Sequence, residues 1–221
     1  MILLALDTAL EAAQAAVLDG DRILASLSEP MSRGHQERLA PLVEQTMREA
    51  GIGFERLNRI AVTVGPGSFT GLRVGLAFAK GLMVALDRPC LGLGSLEALA
   101  ASGPKGALIA AVIEGPRETV YLQAFRDGEA MTAPDVMGLP EAAALLADLW
   151  DGGPLSIIGP GAPRLAGVIA GAEIDPRPVC DIEALARLAA ARPEPRHAPA
   201  PLYLRPPDAK TLAERGLPER R

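Results

Sequence analysis

The sequence predicts an α/β protein of two lobes, each built on a mixed β-sheet. One reason is that short apolar runs alternate with segments in which apolar residues recur at helical spacing. The other is that the order of elements occurs twice: an Asp-Gly hairpin, a helix, a buried strand, a Gly-Pro-Gly sequence and a second helix. The 221 residues suffice for two small domains. We place them at 1–100 and 101–205, followed by a tail at 206–221.

The first lobe begins with three predicted strands. The second and third are joined by Asp19-Gly20-Asp21, a strong hairpin signal. A helix with one apolar face follows and ends at Gly51, and a second helix ends at Asp87-Arg88-Pro89. The predicted strands are 2–6, 13–19, 22–27, 59–64 and 90–94, and the predicted helices are 35–50, 69–86 and 95–101.

The second lobe repeats this plan with little sequence identity. Asp127-Gly128 marks its hairpin, and Gly159-Pro160-Gly161 leads into a helix expected to run through Ala170. Beyond Arg192 the Pro- and Arg-rich sequence predicts a solvated segment, of which 201–204 can dock on the body. The remaining predicted elements are strands 107–113, 119–125 and 155–158 and a helix at 140–150.

Composition argues against several classes of function. A net charge of −5 and 3% aromatic residues disfavour unaided nucleic-acid binding. No secretory signal opens the chain, and the longest apolar run, 74–86, contains Lys80 and is short for a bilayer, so we expect a cytoplasmic protein. Neither the two cysteines nor the two histidines have metal-site spacing, and we expect no metal.

The sequence GPGSFTGLRVG, residues 65–75, resembles a phosphate loop without matching a known one. It lacks the Lys-Ser/Thr ending of a Walker A loop, and a threonine occupies the third glycine place of the dinucleotide fingerprint. A generic anion site remains open, because Ser68 is a good N-cap for the following helix. Since the charge of Arg73 opposes the helix dipole, we expect an acidic side chain or ligand beside it.

Small residues recur along the second helix every four positions, at Gly67, Gly71, Gly75 and Ala79. Each interior glycine costs about 1 kcal/mol relative to alanine, so close packing must compensate. Apolar residues cover nearly the whole circumference of this helix, and one lobe has few further elements to shield it. We therefore expect a second chain to pack there, with full burial inside the lobe as the alternative.

Four segments of the chain resemble the TsaB (YeaZ) family. They are ILLALDTA at the start, HQERLAPLVEQTM, VTVGPGSFTGLRVGLAFAKGL and, near the end, PLYLR. The likeness covers nearly the whole chain, and GPGSFTGLR is highly specific to that family. It implies a two-lobed, actin-like (RNase H-like) fold. It also implies a dimerisation subunit of the bacterial complex that places threonylcarbamoyl on the tRNA adenosine beside the anticodon.

The resemblance further implies partners and an interface. Family members pair through the two long helices with the catalytic paralogue TsaD, which holds the metal, or alone as a homodimer. The ATPase TsaE joins them, tRNA is reached only through the complex, and no membrane is involved. This chain then requires no cofactor of its own, and ATP or ADP at the complex junction is left open. The predicted interface residues are His35, Arg38, Leu39, Leu42, Val43, Met47, Gly71, Leu72, Gly75, Leu76, Ala79 and Met83.

The segment 7–11, Asp-Thr-Ala-Leu-Glu, is typical of a degenerate catalyst. It lacks the glycine that lets backbone approach phosphate in the DxGxT-type loop of superfamily ATPases, and the paired metal histidines of the paralogue are missing. We therefore predict no catalytic residue, and a subunit that binds and activates the transferase.

An alternative is an ATPase or small-molecule kinase of the same fold. A protease would depend on His35 or Cys90. The role of the second-lobe loop at 113–117, where many relatives read Asp-Ala-Arg, stays open. The candidate nucleotide- or anion-binding residues are Asp7, Gly65, Gly67, Ser68, Thr70 and Arg73.

Overall fold

The computed structural model describes residues 1–167 and 169–204, so the predicted tail lies outside the described residues. The first sheet has five strands in the order β3-β2-β1-β4-β5. β1 is antiparallel to β2 and parallel to β4. Because helices cover both of its faces, β1 is buried along its whole length, as its continuous apolar sequence requires. The strands are β1 (Ile2–Asp7), β2 (Ala12–Asp19), β3 (Arg22–Pro30), β4 (Arg59–Gly65) and β5 (Cys90–Gly94).

Three helices belong to the first half of the chain, and the predicted bounds of all three are confirmed. They are α1 (His35–Ala50), α2 (Phe69–Leu86) and α3 (Ser95–Ala101). Gly51 ends α1 in the left-handed conformation with φ 69°, and its N–H donates to the carbonyl oxygens of Arg48 and Met47. Ser68 caps α2 by accepting from the Gly71 N–H.

The second sheet repeats the pairing of the first. β6 is antiparallel to β7 and parallel to β10, as β1 is to β2 and β4. The order is β11-β10-β6-β7-β8, and β9 also pairs with β7. This confirms the predicted α/β fold of two mixed sheets flanked by helices. The elements are β6 (Leu108–Glu114), β7 (Thr119–Arg126), β8 (Glu129–Ala130), β9 (Asp135–Gly138), α4 (Leu139–Leu149), β10 (Leu155–Ile158) and β11 (Glu173–Asp175).

Two predictions for the second half need correction. The helix expected from Gly161 through Ala170 is a single 3₁₀ turn, Ala162–Leu165, and Gly167 with its φ of 77° does not continue it as an α-helix. The sequence analysis also missed α5 (Ile182–Ala191), which packs on β1 and β2 of the first sheet. A single core therefore continues from the first sheet into the second.

The end of the described chain lies on the first lobe. The Leu202 N–H donates to the carbonyl oxygen of Val64 at 2.8 Å. Pro199 is buried, and a Cβ added at Gly92 would lie 3.0 Å from its Cβ. The prediction that 201–204 docks on the body is confirmed.

Candidate functional site

Asp7 ends β1 and is enclosed by its own chain. It is 1% exposed, and its Oδ1 accepts from the Thr63 hydroxyl at 2.6 Å and from the Ala9 N–H at 2.9 Å. The Cys180 thiol lies 3.5 Å from Oδ2. Cys180 comes from the segment just before α5, so the missed helix brings the group that closes this site. Asp7 is therefore satisfied by groups of its own chain, and its contact with a nucleotide or anion stays a prediction.

Burial also governs the charge of Asp7. Desolvation raises the pKa of this carboxyl above its usual 3.8, while the hydrogen bonds from Thr63 and Ala9 act against that rise. We assign the Gln14 amide so that its Nε2 donates to Asp7 Oδ2 at 3.1 Å and its Oε1 accepts from the Ser28 hydroxyl at 3.0 Å, because this orientation satisfies both groups. Asp7 thus belongs to a buried structural network.

At Gly67 and Gly71, the missing side chain makes room for the chain's own backbone rather than for a phosphate. A Cβ at Gly67 would lie 2.3 Å from the Ala9 carbonyl oxygen, and one at Gly71 would lie 2.0 Å from the Thr8 carbonyl oxygen. The Ser68 N–H donates to the Ala9 carbonyl at 2.7 Å. This amide and the capped Gly71 N–H are committed internally.

The stripe of small residues faces the same turn. A Cβ at Gly75 would lie 2.3 Å from the Thr8 hydroxyl oxygen, which itself donates to the Gly71 carbonyl at 2.8 Å. Ala79 is completely buried. The stripe therefore compensates its helix-propensity cost by packing α2 on β4 and the β1–β2 turn. The stripe side of α2 is thus covered by the chain itself, and the prediction that a second chain packs on α2 concerns its opposite side.

Most of the predicted interface residues lie on the inner side of α1 and α2. Ten of the twelve are buried within the chain: His35, Leu39, Leu42, Val43, Met47, Gly71, Leu72, Gly75, Leu76 and Ala79. Arg38 is exposed and holds Glu29 of β3 in a two-bond ion pair, and Met83 is half-buried. Seven of the buried ten fill the chain's own core, the two glycines face the β1–β2 turn, and His35 lines a cleft between the lobes.

The opposite side of α2 is open and largely apolar. Val84 is 76% exposed and Phe69 is 52% exposed. We call the exposed residues the outer face of α2; they are Phe69, Thr70, Arg73, Ala77, Gly81, Val84 and Ala85. Half-buried Val74, Phe78, Leu82, Met83 and Leu86 border it.

By length and composition α2 meets the criteria for a membrane-crossing helix, contrary to the expectation from the sequence. However, its glycine side packs on β4 and the β1–β2 turn, which identifies it as a packed helix of the α/β fold.

Arg73 finds an aromatic ring instead of the expected acid. Its guanidinium carbon lies 3.8 Å above the centroid of the Phe69 ring. The ring centroids of Phe69 and Tyr203 are 6.0 Å apart. Within residues 1–167 and 169–204, the salt bridges do not include Arg73.

The cysteines do not fit the role of nucleophile. Burial raises the pKa of the Cys90 thiol to about 12, and burial together with the neighbouring Asp7 raises that of Cys180 well above its ordinary value. His35 is 5% exposed, and its Nε2 has no hydrogen-bond partner among the described residues. In the described part of the chain, no three His, Cys, Asp or Glu side chains are placed to hold a metal ion.

A cleft of about 380 Å³ lies between the lobes, above the enclosed Asp7. Its floor includes Gly67 and Ser68, and Tyr121 lines the second-lobe side. Glu11 and Glu114 line it from opposite lobes, and none of its described lining residues is lysine or arginine. The described lining thus combines two carboxylates with the buried imidazole of His35.

Comparison with known proteins gives a consistent assignment. A family model described as TsaD, tRNA N6-adenosine threonylcarbamoyltransferase, matches residues 27–146. A solved Pseudomonas aeruginosa protein, titled as similar to peptidase YeaZ, is 32% identical with TM-score 0.81, covering 92% of this chain and 99% of that one. P. aeruginosa YeaZ is 30% identical with TM-score 0.77 at the same coverage.

The tRNA threonylcarbamoyladenosine biosynthesis protein TsaB of Bacillus subtilis is 34% identical over 131 residues, which cover 58% of this chain and 57% of TsaB. Together with the full-length match to YeaZ, this establishes the family and, with it, the two-lobed actin-like fold. The chain belongs to the TsaB (YeaZ) family.

Proposed function

We propose that the chain is a noncatalytic subunit that binds and activates a TsaD-type transferase, which threonylcarbamoylates the tRNA adenosine next to the anticodon. The likeness to TsaB supports a role in tRNA threonylcarbamoyladenosine biosynthesis. The outer face of α2 carries the finer proposal that this role is partner binding.

The physical argument is the unshielded apolar surface of one helix. Only 28% of the α2 residues are buried although the mean hydropathy of the helix is 1.5. Contiguous exposed apolar surface bordered by polar residues marks sites of protein association. Val84 and Phe69, separated by four turns on the outer face, give the partner two large apolar contacts at opposite ends of α2.

The enclosed Asp7 supports the noncatalytic part of the proposal. An ATPase or kinase of this fold would need Asp7 accessible, yet Thr63 and Cys180 cover it. The cleft above it presents the carboxylates of Glu11 and Glu114. No observation favours that alternative. We propose that any ATP or ADP binds at the junction of the complex, and that this chain alone requires no cofactor.

The remaining parts of the proposal follow from the same subunit role. A TsaE-type ATPase joins the pair, and tRNA is held by the complex rather than by this acidic chain with its net charge of −5. A homodimer forms through the same outer face when the transferase is absent. The complex works in the cytoplasm.

The test measures association with the TsaD-type transferase of the same organism by light scattering and titration calorimetry. We expect the wild-type chain to bind and Val84→Asp to weaken binding by at least about 100-fold, because an unpaired carboxylate buried in an apolar interface costs several kcal/mol. The melting temperature of Val84→Asp should stay near wild type, since Val84 is 76% exposed.

Met131→Asp is the matched control, because Met131 is an apolar side chain of the second lobe with 47% exposure and is not part of α2. It should bind like wild type. A wild-type chain that stays monomeric in the presence of the transferase would refute the proposal. Unchanged affinity in Val84→Asp would refute the assignment of the surface. Threonylcarbamoyl transfer to tRNA should require the chain and tolerate Asp7→Asn.

A further inference from the structure

The last described residues extend the outer face of α2 beyond the helix. Tyr203 is 50% exposed, and its ring lies 6.0 Å from that of Phe69, itself 52% exposed. We call Phe69 and Tyr203 the aromatic pair. Few side chains of this kind are available, because only 3% of the residues are aromatic. Two half-exposed rings that are far apart in the sequence thus lie next to each other on the surface.

Backbone contacts hold the aromatic pair in position. The Leu202 N–H donates to the Val64 carbonyl at 2.8 Å, just before the loop that leads into α2. Gly65 has φ 113°, and a Cβ there would lie 3.0 Å from the Leu202 carbonyl oxygen, so this glycine makes room for the segment. Tyr203 therefore projects from an anchored strand-like segment, which lowers the entropy lost when a partner covers it.

Charge distinguishes the surface around the aromatic pair. Arg73 and Lys80 are the two charged residues of α2, and both are cations. Arg73 already lies on the Phe69 ring at 3.8 Å and leaves its charge without an acidic neighbour among the described salt bridges. A partner that covers this ring must therefore also pair with the Arg73 guanidinium, and a carboxylate is the group that pairs with it most strongly.

We propose that residues 199–204 form a second element of the partner-binding surface beside the outer face of α2, with the aromatic pair entering an apolar recess on the transferase beside a carboxylate that pairs with Arg73. This inference rests on the proposed function. Tyrosine and arginine are enriched among the residues that carry most binding energy at protein interfaces, and the aromatic pair is continuous with the outer face of α2.

The transferase fits this surface better than RNA or a second copy of the chain. RNA would stack on the same rings, but the chain carries a net charge of −5, and α2 contributes two cations, Arg73 and Lys80. A second copy would bring its own Arg73 to a two-fold interface, where like charges weaken pairing, so the homodimer is the weaker complex and gives way when the transferase is present.

The test compares Tyr203→Ala with wild type in binding to the intact transferase. Tyr203→Ala should raise the Kd about tenfold, and Tyr203→Phe should restore most of the affinity because the ring provides the contact. Arg73→Glu should also weaken binding, and the effect should diminish with salt. Met131→Ala, a large exposed side chain elsewhere, serves as the control.

A footprinting measurement on the wild-type proteins separates direct contact from an indirect structural effect. In hydroxyl-radical oxidation, Tyr203 and Phe69 should lose reactivity when the transferase binds, while Met131 keeps its reactivity. Unchanged reactivity of Tyr203 in the complex, or a Kd of Tyr203→Ala within twofold of wild type, overturns the inference while the proposed function stands. Protection by tRNA alone also overturns it. If wild type does not bind the transferase, both fail together.

Discussion

Two Gly-Pro-Gly sequences, one in each lobe, begin alike and lead to different structures. Gly65 ends the buried strand β4, Gly159 directly follows the buried strand β10, and their φ angles are 113° and 116°. Beyond them the first lobe builds the 18-residue α2, whereas the second builds a four-residue 3₁₀ turn. The shared turn therefore does not dictate a long helix.

The two turns also serve the same packing purpose. The Ser68 N–H donates to Ala9 at 2.7 Å, and the Gly161 N–H donates to Val112 at 3.1 Å, so each turn is tied to the first hairpin of its lobe. The second lobe makes this contact without a long helix after the turn. The first lobe adds the long helix α2 to this turn. The outer face of α2 is the surface that we propose binds the partner.

The largest expected effect comes from filling the glycine contact of the first lobe. Gly71→Ala should lower the free energy of unfolding by about 3 kcal/mol, at the upper end of overpacking costs, because the new Cβ would meet a backbone oxygen at 2.0 Å. Urea denaturation measures it. Gly81→Ala is the control in the same helix: nothing lies within 4 Å, so alanine should stabilise by about 0.5–1 kcal/mol. Equal effects at both positions would contradict the close packing.

A smaller loss is expected from the corresponding contact of the second lobe. Gly161→Ala should cost about 1–3 kcal/mol, because its Cβ would lie 2.8 Å from a Val112 methyl group and 2.9 Å from the Ile113 carbonyl carbon, longer distances than the 2.0 Å contact at Gly71. Thermal and urea unfolding report the loss. Affinity for the transferase should stay at the wild-type value, since the outer face of α2 is untouched. A matching drop in affinity would show that the lobes are coupled at the binding surface.

The smallest effect concerns the acids that end β1 and β6. The folded state holds the Asp7 pKa above 3.8, so the stability that Asp7 contributes is complete below pH 3.8 and is lost as pH rises through the raised value. Asp7→Asn removes this dependence, and Gln14 can turn its amide to accept from the new NH₂ group. We expect a melting temperature a few degrees above wild type at pH 7, with the gap closing towards pH 4.

Exposed Glu114 at the end of β6 provides the comparison for Asp7. Glu114→Gln should leave the pH profile of the melting temperature unchanged. A melting temperature of Asp7→Asn that runs parallel to wild type across this pH range would exclude Asp7 as the source of the dependence.

Local signals made the helices of the first lobe predictable. Gly51 can adopt the left-handed conformation that ends α1, and Pro89 follows the last turn of α2, so both bounds could be read from neighbouring residues. The missed α5 carried similar signals. Asp181 caps it by accepting from the Glu183 N–H at 2.9 Å, and apolar residues follow at helical spacing.

The candidate site depended on contacts that sequence spacing does not contain. Glycines every four residues predict a close approach, but not whether Thr8, 63 residues from Gly71, or another chain makes it. Asp7 is closed off by Cys180, 173 residues away, on a segment leading to a helix that was not predicted. The composition of α2 predicted that the helix has more apolar surface than its own lobe covers. The composition did not predict which side of the helix stays exposed.

The bond between Leu202 and Val64 has a consequence for biosynthesis. Residues 199–204 are synthesised after both sheets, so a nascent chain that already contains both sheets still lacks this anchored segment. Under the proposal above, the partner-binding surface is complete only once Tyr203 has left the ribosome and the bond between Leu202 and Val64 has formed.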